Sequence, residues 1–320
     1  MAARDDTLPS PPSVPVPGMV AEVRVPATSA NLGPGFDSLG LALDWVDPVR
    51  LEVVTGPSLV EVTGEGADSV PTDENHLVVA SWRRGLTALG VPEDESAALG
   101  VRLTSHNTIP HGRGVGSSSA ATVAGLYAAW LHTHGDTGED VASTDWLLEL
   151  STRIEGHPDN VAPAILGGFV IGFRDAGRGR AVRARVHPEL VAAVHLPDAE
   201  LSTAKARGAI PERIQHADAV ANTAAAALLV HALANDPSLL LPATEDRLHQ
   251  DYRADLMPAS TELLRFLREK GFPATISGAG PAVLVLGTPE QLAGLPKVEG
   301  FGRSILAIGG GASGVLVDGA

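Results

Sequence analysis

Residues 118–131, SSAATVAGLYAAWL, have helical composition and are apolar on nearly every face. Such a helix is buried, because it offers no polar stripe to water. The stretch leading into it, IPHGRGVG (109–116), carries Gly112, Gly114 and Gly116. Glycine lets backbone amides approach an anion without an intervening Cβ. A helix that starts just after such a turn aims unsatisfied N–H groups and its positive dipole end at the same place. Two readings follow: a tight turn with a serine-capped helix, or an anion site whose serine hydroxyls add donors and can ligate Mg²⁺ held by phosphates. Better-known glycine motifs do not fit. There is no lysine for G-x-x-x-x-G-K-[ST]. HNTIPH separates the glycines from the preceding strand, unlike a dinucleotide fingerprint. Ala120 stands where the last glycine of G-x-S-x-G belongs.

At about 150 residues per domain, 320 residues suggest two domains. The pattern mixes helices with hairpins and lacks regular βαβ alternation, which favours α+β. Residues 19–62 read mostly as strands, with 49–64 a hairpin turning at Gly56-Pro57. Residues 75–89 suit a helix stopped by Gly90, and Thr144 caps a second helix that Gly156 and Pro158 end. Later strands are GGFVIGF, ELVAAVHLP, FPATISG and AVLVLGT, with one or two more after residue 302; a boundary falls near Gly177. Residues 1–18, rich in proline, read as a disordered tail and not an export signal.

The net charge of −15 argues against nucleic acid and anionic membranes as partners. The most apolar stretch, 219–234, is interrupted by Asn222, Thr223 and His231 and is expected to be too short and too weakly hydrophobic to span a bilayer. The chain has no cysteine, which excludes disulfides, thiolate metal sites and a cysteine nucleophile and fits a reducing cytoplasm. With only three lysines, none near the glycine loop, anion recognition falls to arginine, backbone amides and helix ends.

Three other stretches carry chemistry. PATSANLGPGFDSLGLAL (26–43) sets Asn31 and Asp37 among turn formers between strands: an ordinary loop, or a binding loop for a cation and a hydroxyl. IEGHPDNVAPAILGGF (154–169) gathers Glu155, His157, Asp159 and Asn160 at a helix end. ATISGAGPAVLVLG (274–287) places a second glycine turn between strands, able to close over a nucleotide.

With the glycine–serine loop, STAKARGAIP (202–211) and RLHQDYR (247–253), these segments resemble the GHMP kinase superfamily, and within it the homoserine kinases. The superfamily pattern P-x-x-x-G-x-G-S-S-A is met at Pro110, Gly114, Gly116, Ser117 and Ser118, while Ser119 replaces the usual alanine. The resemblance implies a two-domain α+β fold. Residues 19–176 would be an N-terminal ribosomal-protein-S5-like domain, and 177–320 a C-terminal ferredoxin-like α/β sandwich. It implies ATP as co-substrate, bound along Pro110, His111, Gly112, Arg113, Gly114, Val115, Gly116, Ser117, Ser118 and Ser119. Mg²⁺ would be held by Ser118 and Glu155, with Glu149 the alternative to Glu155. Ser277, Gly278 and Gly280 form the third motif. L-Homoserine, the acceptor, would meet Asn31 and Asp37 at its amino and hydroxyl end, and Arg207 and Arg253 at its carboxylate, with His157 and Thr203 also in contact. Asn160 stands where sister kinases carry a catalytic aspartate; it cannot act as a base, so catalysis by positioning is expected. A cytoplasmic enzyme, possible as a homodimer, would fit. Two other readings are open: a kinase of a different hydroxylated amino acid or acid, and a non-catalytic nucleotide-binding protein on the same fold.

Overall fold

The computed structural model describes residues 13–135 and 141–317. Its larger sheet has seven strands: β1 (Val20–Ala30), β2 (Leu39–Thr55), β3 (Leu59–Gly64), β4 (Leu99–Asn107), β5 (Phe169–Asp175), β6 (Arg178–Ala184) and β11 (Ser313–Val317). The smaller has four, β7 (Val191–Pro197), β8 (Ala274–Ile276), β9 (Val283–Gly287) and β10 (Phe301–Ala307), in the order β10-β7-β9-β8. The helices are α1 (Leu77–Leu89), α2 (Glu93–Ala97), α3 (Ser117–His134), α4 (Val141–Glu155), α5 (Val161–Leu166), α6 (Thr203–Gly208), α7 (His216–Ala234), α8 (Leu240–Ala243), α9 (Pro258–Glu269) and α10 (Pro289–Ala293). The architecture is the expected α+β pair, and the all-antiparallel order of the smaller sheet is that of a ferredoxin-like sandwich.

Helix α3 is the buried element its composition requires. Val123, Ala124, Leu126, Ala128, Ala129 and Leu131 are all inaccessible, in one core with Trp82 and Leu86 of α1 and Val23 and Val25 of β1. Gly125 allows α1 to approach: a Cβ there would fall 2.7 Å from that of Ser81. The inner strands β7 and β9 of the smaller sheet are buried on both faces by their two-residue alternation, whereas edge strand β10 is largely exposed. Ala193, Val283 and Val285 pack with Leu263, Leu264 and Leu267 of α9, whereas Ala192, Val194, Leu284 and Leu286 join the core that contains Leu229 and Leu233 of α7.

Several local expectations change. Residues 49–64 are not a hairpin. β3 runs parallel to β4, which lies between it and β2, so Gly56-Pro57 starts a crossover instead of a two-strand turn. Thr144 lies inside α4 (Val141–Glu155) and does not cap it. Gly177 falls within the turn of the β5–β6 hairpin, so the larger sheet continues past the expected boundary, and β11 returns to pair with β1. The Pro-rich tail lies outside the described residues as far as residue 12, but its end is held: Ser13 N–H donates to Thr133 O (3.0 Å) and Gly18 N–H to Val53 O (2.9 Å). The expectation that residues 219–234 are too short and too weakly hydrophobic to span a bilayer is corrected: the helix starts three residues earlier, at His216, and by length and composition α7 alone among the described helices is long and apolar enough to cross a membrane. In the fold Asn222 is buried and donates to Pro34 O (2.8 Å) while accepting from Arg247 N–H (3.1 Å).

Candidate active site

Gly116 is the N-cap of α3 with φ 74°, and no side chain caps the helix. Ala120 N–H is the first to close onto the helix, at Gly116 O (2.9 Å). The amides of Ser117, Ser118 and Ser119 therefore open the helix, as an anion site requires. The loop before them is clasped on several sides. Thr28 N–H donates to Val115 O (3.0 Å), Ala282 N–H to Arg113 O (3.0 Å) and Leu201 N–H to Gly112 O (3.0 Å). Ser277 Oγ donates to Gly114 O (2.6 Å), which ties the third motif to the first. Buried Asp47 anchors the lead-in, accepting from Thr108 N–H (2.6 Å) and Ile109 N–H (3.2 Å).

Two cavities meet at this loop and share Gly112, Ser117 and Ser118. One, of ≈ 330 Å³, runs outward past Val25, Val70, Pro71 and Ala121, beside His76 and His111. His111 thus flanks the loop on this side, whereas Pro110 lines neither cavity. The other, of ≈ 190 Å³, runs inward to Asn31, Asp37, Asn160, Thr203, Arg207 and Arg253. Gly278 and Gly280 close its far wall. The structure thus brings residues from six separate segments into one cleft.

Their pairings are more specific than the sequence suggested. Arg207 grips Asp37 through both terminal nitrogens (2.7 and 3.0 Å), although the two were assigned to opposite ends of the acceptor. The pair is partly exposed, at 44% and 33% of the two side chains, so it is worth at most about 1 kcal/mol and exchanges readily. Asn31 is buried with φ 69°; its amide donates to Gly278 O (2.8 Å) and accepts from Asp37 N–H (3.0 Å), so it shapes the loop as well as lining the cleft. Arg253 is 2% exposed. Its Nε donates to Ala206 O (3.1 Å) and its Nη1 to His249 Nδ1 (3.0 Å) and Gly278 O (3.3 Å). Burial, then the charge of Arg207, disfavours its cation, a strain that a bound anion relieves.

Beside them His157 bonds buried Asp159 through Nδ1. Burial pushes the His157 pKa down, but the hydrogen bond and charge of Asp159, with Asp37, outweigh it and raise the value above 6.5. Asp37, His157 and Asp159 bring ligand atoms within 4.8 Å of one another and could hold a cation or an ammonium group. Asn160 Oδ1 accepts from Thr28 Oγ1 (2.9 Å). Glu155 lies against α3, accepting from Thr122 Oγ1 (3.5 Å) and from Ser119; burial above all raises its pKa. Glu149 instead faces Arg153 (3.0 Å) and the Gly179 amide (2.8 Å), away from the loop.

Phe36 and His249 were not foreseen. The Phe36 ring stacks on His249 (5.3 Å) and lies under both guanidinium groups, 5.6 Å from Arg207 and 5.5 Å from Arg253. The sequence signal was present in the four-residue spacing of His249 and Arg253, which puts two side chains on one face of a turn.

The GHMP kinase N-terminal domain model matches residues 76–168, and the GHMP kinase C-terminal model matches residues 225–294. The chain belongs to the GHMP kinases. It is 50% identical to a homoserine kinase of Streptomyces coelicolor over 264 residues, 82% of this chain and 83% of that protein. It is 47% identical to a homoserine kinase of Cutibacterium acnes over 90% of this chain and 97% of that one. The crystal structure of homoserine kinase from Cytophaga hutchinsonii superposes with a TM-score of 0.76 at 28% identity, over 92% of this chain and 97% of that one.

Proposed function

We propose that this chain transfers the γ-phosphoryl group of ATP to the side-chain hydroxyl of L-homoserine, giving O-phospho-L-homoserine and ADP. The observation that carries the reading is the cleft where Asp37, Arg207 and Arg253 converge beside the uncapped amides of Ser117–Ser119. An α-amino acid carries both charges such a cleft matches, and an uncharged sugar carries neither. The resemblance to proteins named homoserine kinase supports the same acceptor.

The outer, largely apolar cavity suits a nucleoside, and the phosphates then lie along Gly112–Ser119. Phosphoryl transfer through a loose transition state needs alignment and charge neutralisation more than covalent help. The helix amides supply donors to phosphate oxygens. Mg²⁺ favours oxygen ligands, and the Ser118 hydroxyl and Glu155 carboxylate are of that kind. A cation also relieves the burial that raises the Glu155 pKa, which favours Glu155 over Glu149. Mg²⁺ held there would offset charge on the β- and γ-phosphates. At the other end, Arg253 and Arg207 take the acceptor carboxylate, while Asp37 and the His157–Asp159 pair take its ammonium. Asn160, held by Thr28, positions the hydroxyl without removing its proton. A cytoplasmic location and a homodimer go with this reading, the first consistent with a cysteine-free chain.

An ADP-release assay with Mg²⁺-ATP and homoserine, threonine, serine or mevalonate tests it. Homoserine is expected to give the highest kcat/KM; no turnover above background with homoserine refutes the proposal.

A further inference from the structure

His249 is fully buried and does not line the cleft, yet it joins two of its walls. Its Nε2 lies 3.0 Å from Gly33 O in the loop that ends at Asp37, and its Nδ1 lies 3.0 Å from Arg253 Nη1. A carbonyl can only accept and a guanidinium can only donate. The ring is therefore neutral, with its proton on Nε2 and its lone pair on Nδ1. Asp246 fixes the segment that presents it, accepting from the amides of Leu248 (3.0 Å), His249 (3.0 Å) and Gln250 (2.7 Å). Phe36 stacks on the ring from the cleft side. An arginine fork recognises a carboxylate only in one orientation. Without His249 the guanidinium keeps Ala206 O at Nε (3.1 Å) and, at Nη1, only the longer bond to Gly278 O (3.3 Å), which holds the direction of the fork less firmly.

We propose that His249 is a positioning residue: in its Nε2–H tautomer it sets the direction of the Arg253 fork and ties that fork to the Asn31–Asp37 loop, and so determines acceptor affinity. This rests on the reading that Arg253 holds the acceptor carboxylate. Two isosteric variants separate the bonds. In His249→Gln the amide nitrogen takes the place of Nε2 and still donates to Gly33 O, but no acceptor faces Arg253. In His249→Asn the side-chain oxygen takes the place of Nδ1 and still accepts from Arg253, but Gly33 is not reached. The expected result is a KM for homoserine raised roughly 10- to 100-fold in His249→Gln and within about threefold in His249→Asn. The KM for ATP stays within about twofold of wild type in both. Equal effects of the two variants on homoserine, no effect of either, or a parallel rise in the KM for ATP overturns the proposal. A second measurement needs no acceptor: ¹⁵N-edited imidazole spectra of the wild-type protein at neutral pH are expected to show Nδ1 of His249 unprotonated and Nε2 protonated. A proton on Nδ1 overturns the proposal even if the variants fold poorly. Lack of turnover of homoserine by wild type counts against the proposed function, and the tautomer is still read.

Discussion

Gly116→Ala tests how the phosphate loop is built. At φ 74° an alanine sits in the left-handed region, at a cost of about 1–2 kcal/mol. The added Cβ would also overlap Thr28 Oγ1 and lie 3.1 Å from Thr28 N and 3.2 Å from its Cβ. Relief requires Thr28 to turn away, which sacrifices its bond to Asn160 and, with local overpacking, adds about 1–2 kcal/mol. The single variant is therefore expected to lose about 3 kcal/mol, and Thr28→Ala alone about 1 kcal/mol through that hydrogen bond. With the hydroxyl already gone, the double variant has only the backbone cost and a tight contact left, again about 3 kcal/mol in all. The cycle should show a coupling of about 1 kcal/mol, measured by urea unfolding at matched m-values. Gly116→Ala should also raise the KM for ATP, since the amides that open α3 move with it. Additivity within about 0.5 kcal/mol would refute the steric reasoning and leave only the backbone term.

Glu155→Gln is expected to raise Tm in the absence of nucleotide, because a carboxylate whose pKa is lifted by burial is replaced by a neutral isostere, while kcat falls by about 100-fold or more. Glu149→Gln should leave kcat within about threefold, since Glu149 serves Arg153 and Gly179; equal losses from the two would reverse the assignment. His157 has a folded-state pKa raised above 6.5. Its contribution to stability is thus complete below about pH 6.5 and disappears as pH climbs through the raised value. Melting curves of wild type and His157→Gln should converge with rising pH, and a widening gap would contradict the Asp159 pairing. 3-Aminopropan-1-ol, which is homoserine without its carboxylate, should be phosphorylated with kcat/KM lower by about 10³-fold or more, because Arg253 is left unpaired; a loss under tenfold would remove it from acceptor recognition.

The glycine–serine loop, the buried helix after it and the cleft residues were legible because each rests on local chemistry. Glycines at positive φ, an apolar helix and a capping stop such as Gly90 all write themselves into adjacent residues. Pairings between distant segments do not. Whether Leu59–Gly64 pairs with β2 or with β4 is decided by an inserted strand about 40 residues later, and the hairpin reading of Gly56-Pro57 had no local reason to fail. The same holds in the cleft. Asp37 and Arg207, separated by 170 positions, were both legible as charged site residues, but their mutual bond was not. Glu155 and Glu149 look alike in sequence; only the direction of the last turns of α4 separates the residue facing Ser119 from the one facing Gly179.

The two arginines divide the work by burial. Arg253 has lost its water, is disfavoured by its neighbour's charge, and meets only neutral acceptors in Ala206 O, Gly278 O and His249. An anion arriving there gains a strong charge-assisted bond against little competing solvation. Arg207 is more exposed and holds Asp37 in a bridge that water largely screens. A zwitterion can therefore enter by exchange. In the proposed reading its carboxylate would satisfy Arg253 and draw on Arg207, and its ammonium would take over the Asp37 carboxylate that Arg207 releases. No charge would be left without a counter-charge once the zwitterion is seated, whereas a ligand carrying only one of the two groups would leave either Arg253 or Asp37 without an opposite charge. In a chain of net charge −15 this focused pair of cations would let an anionic group bind deep in the cleft, and the amides of α3 would extend the same cationic field to the proposed phosphates beside it.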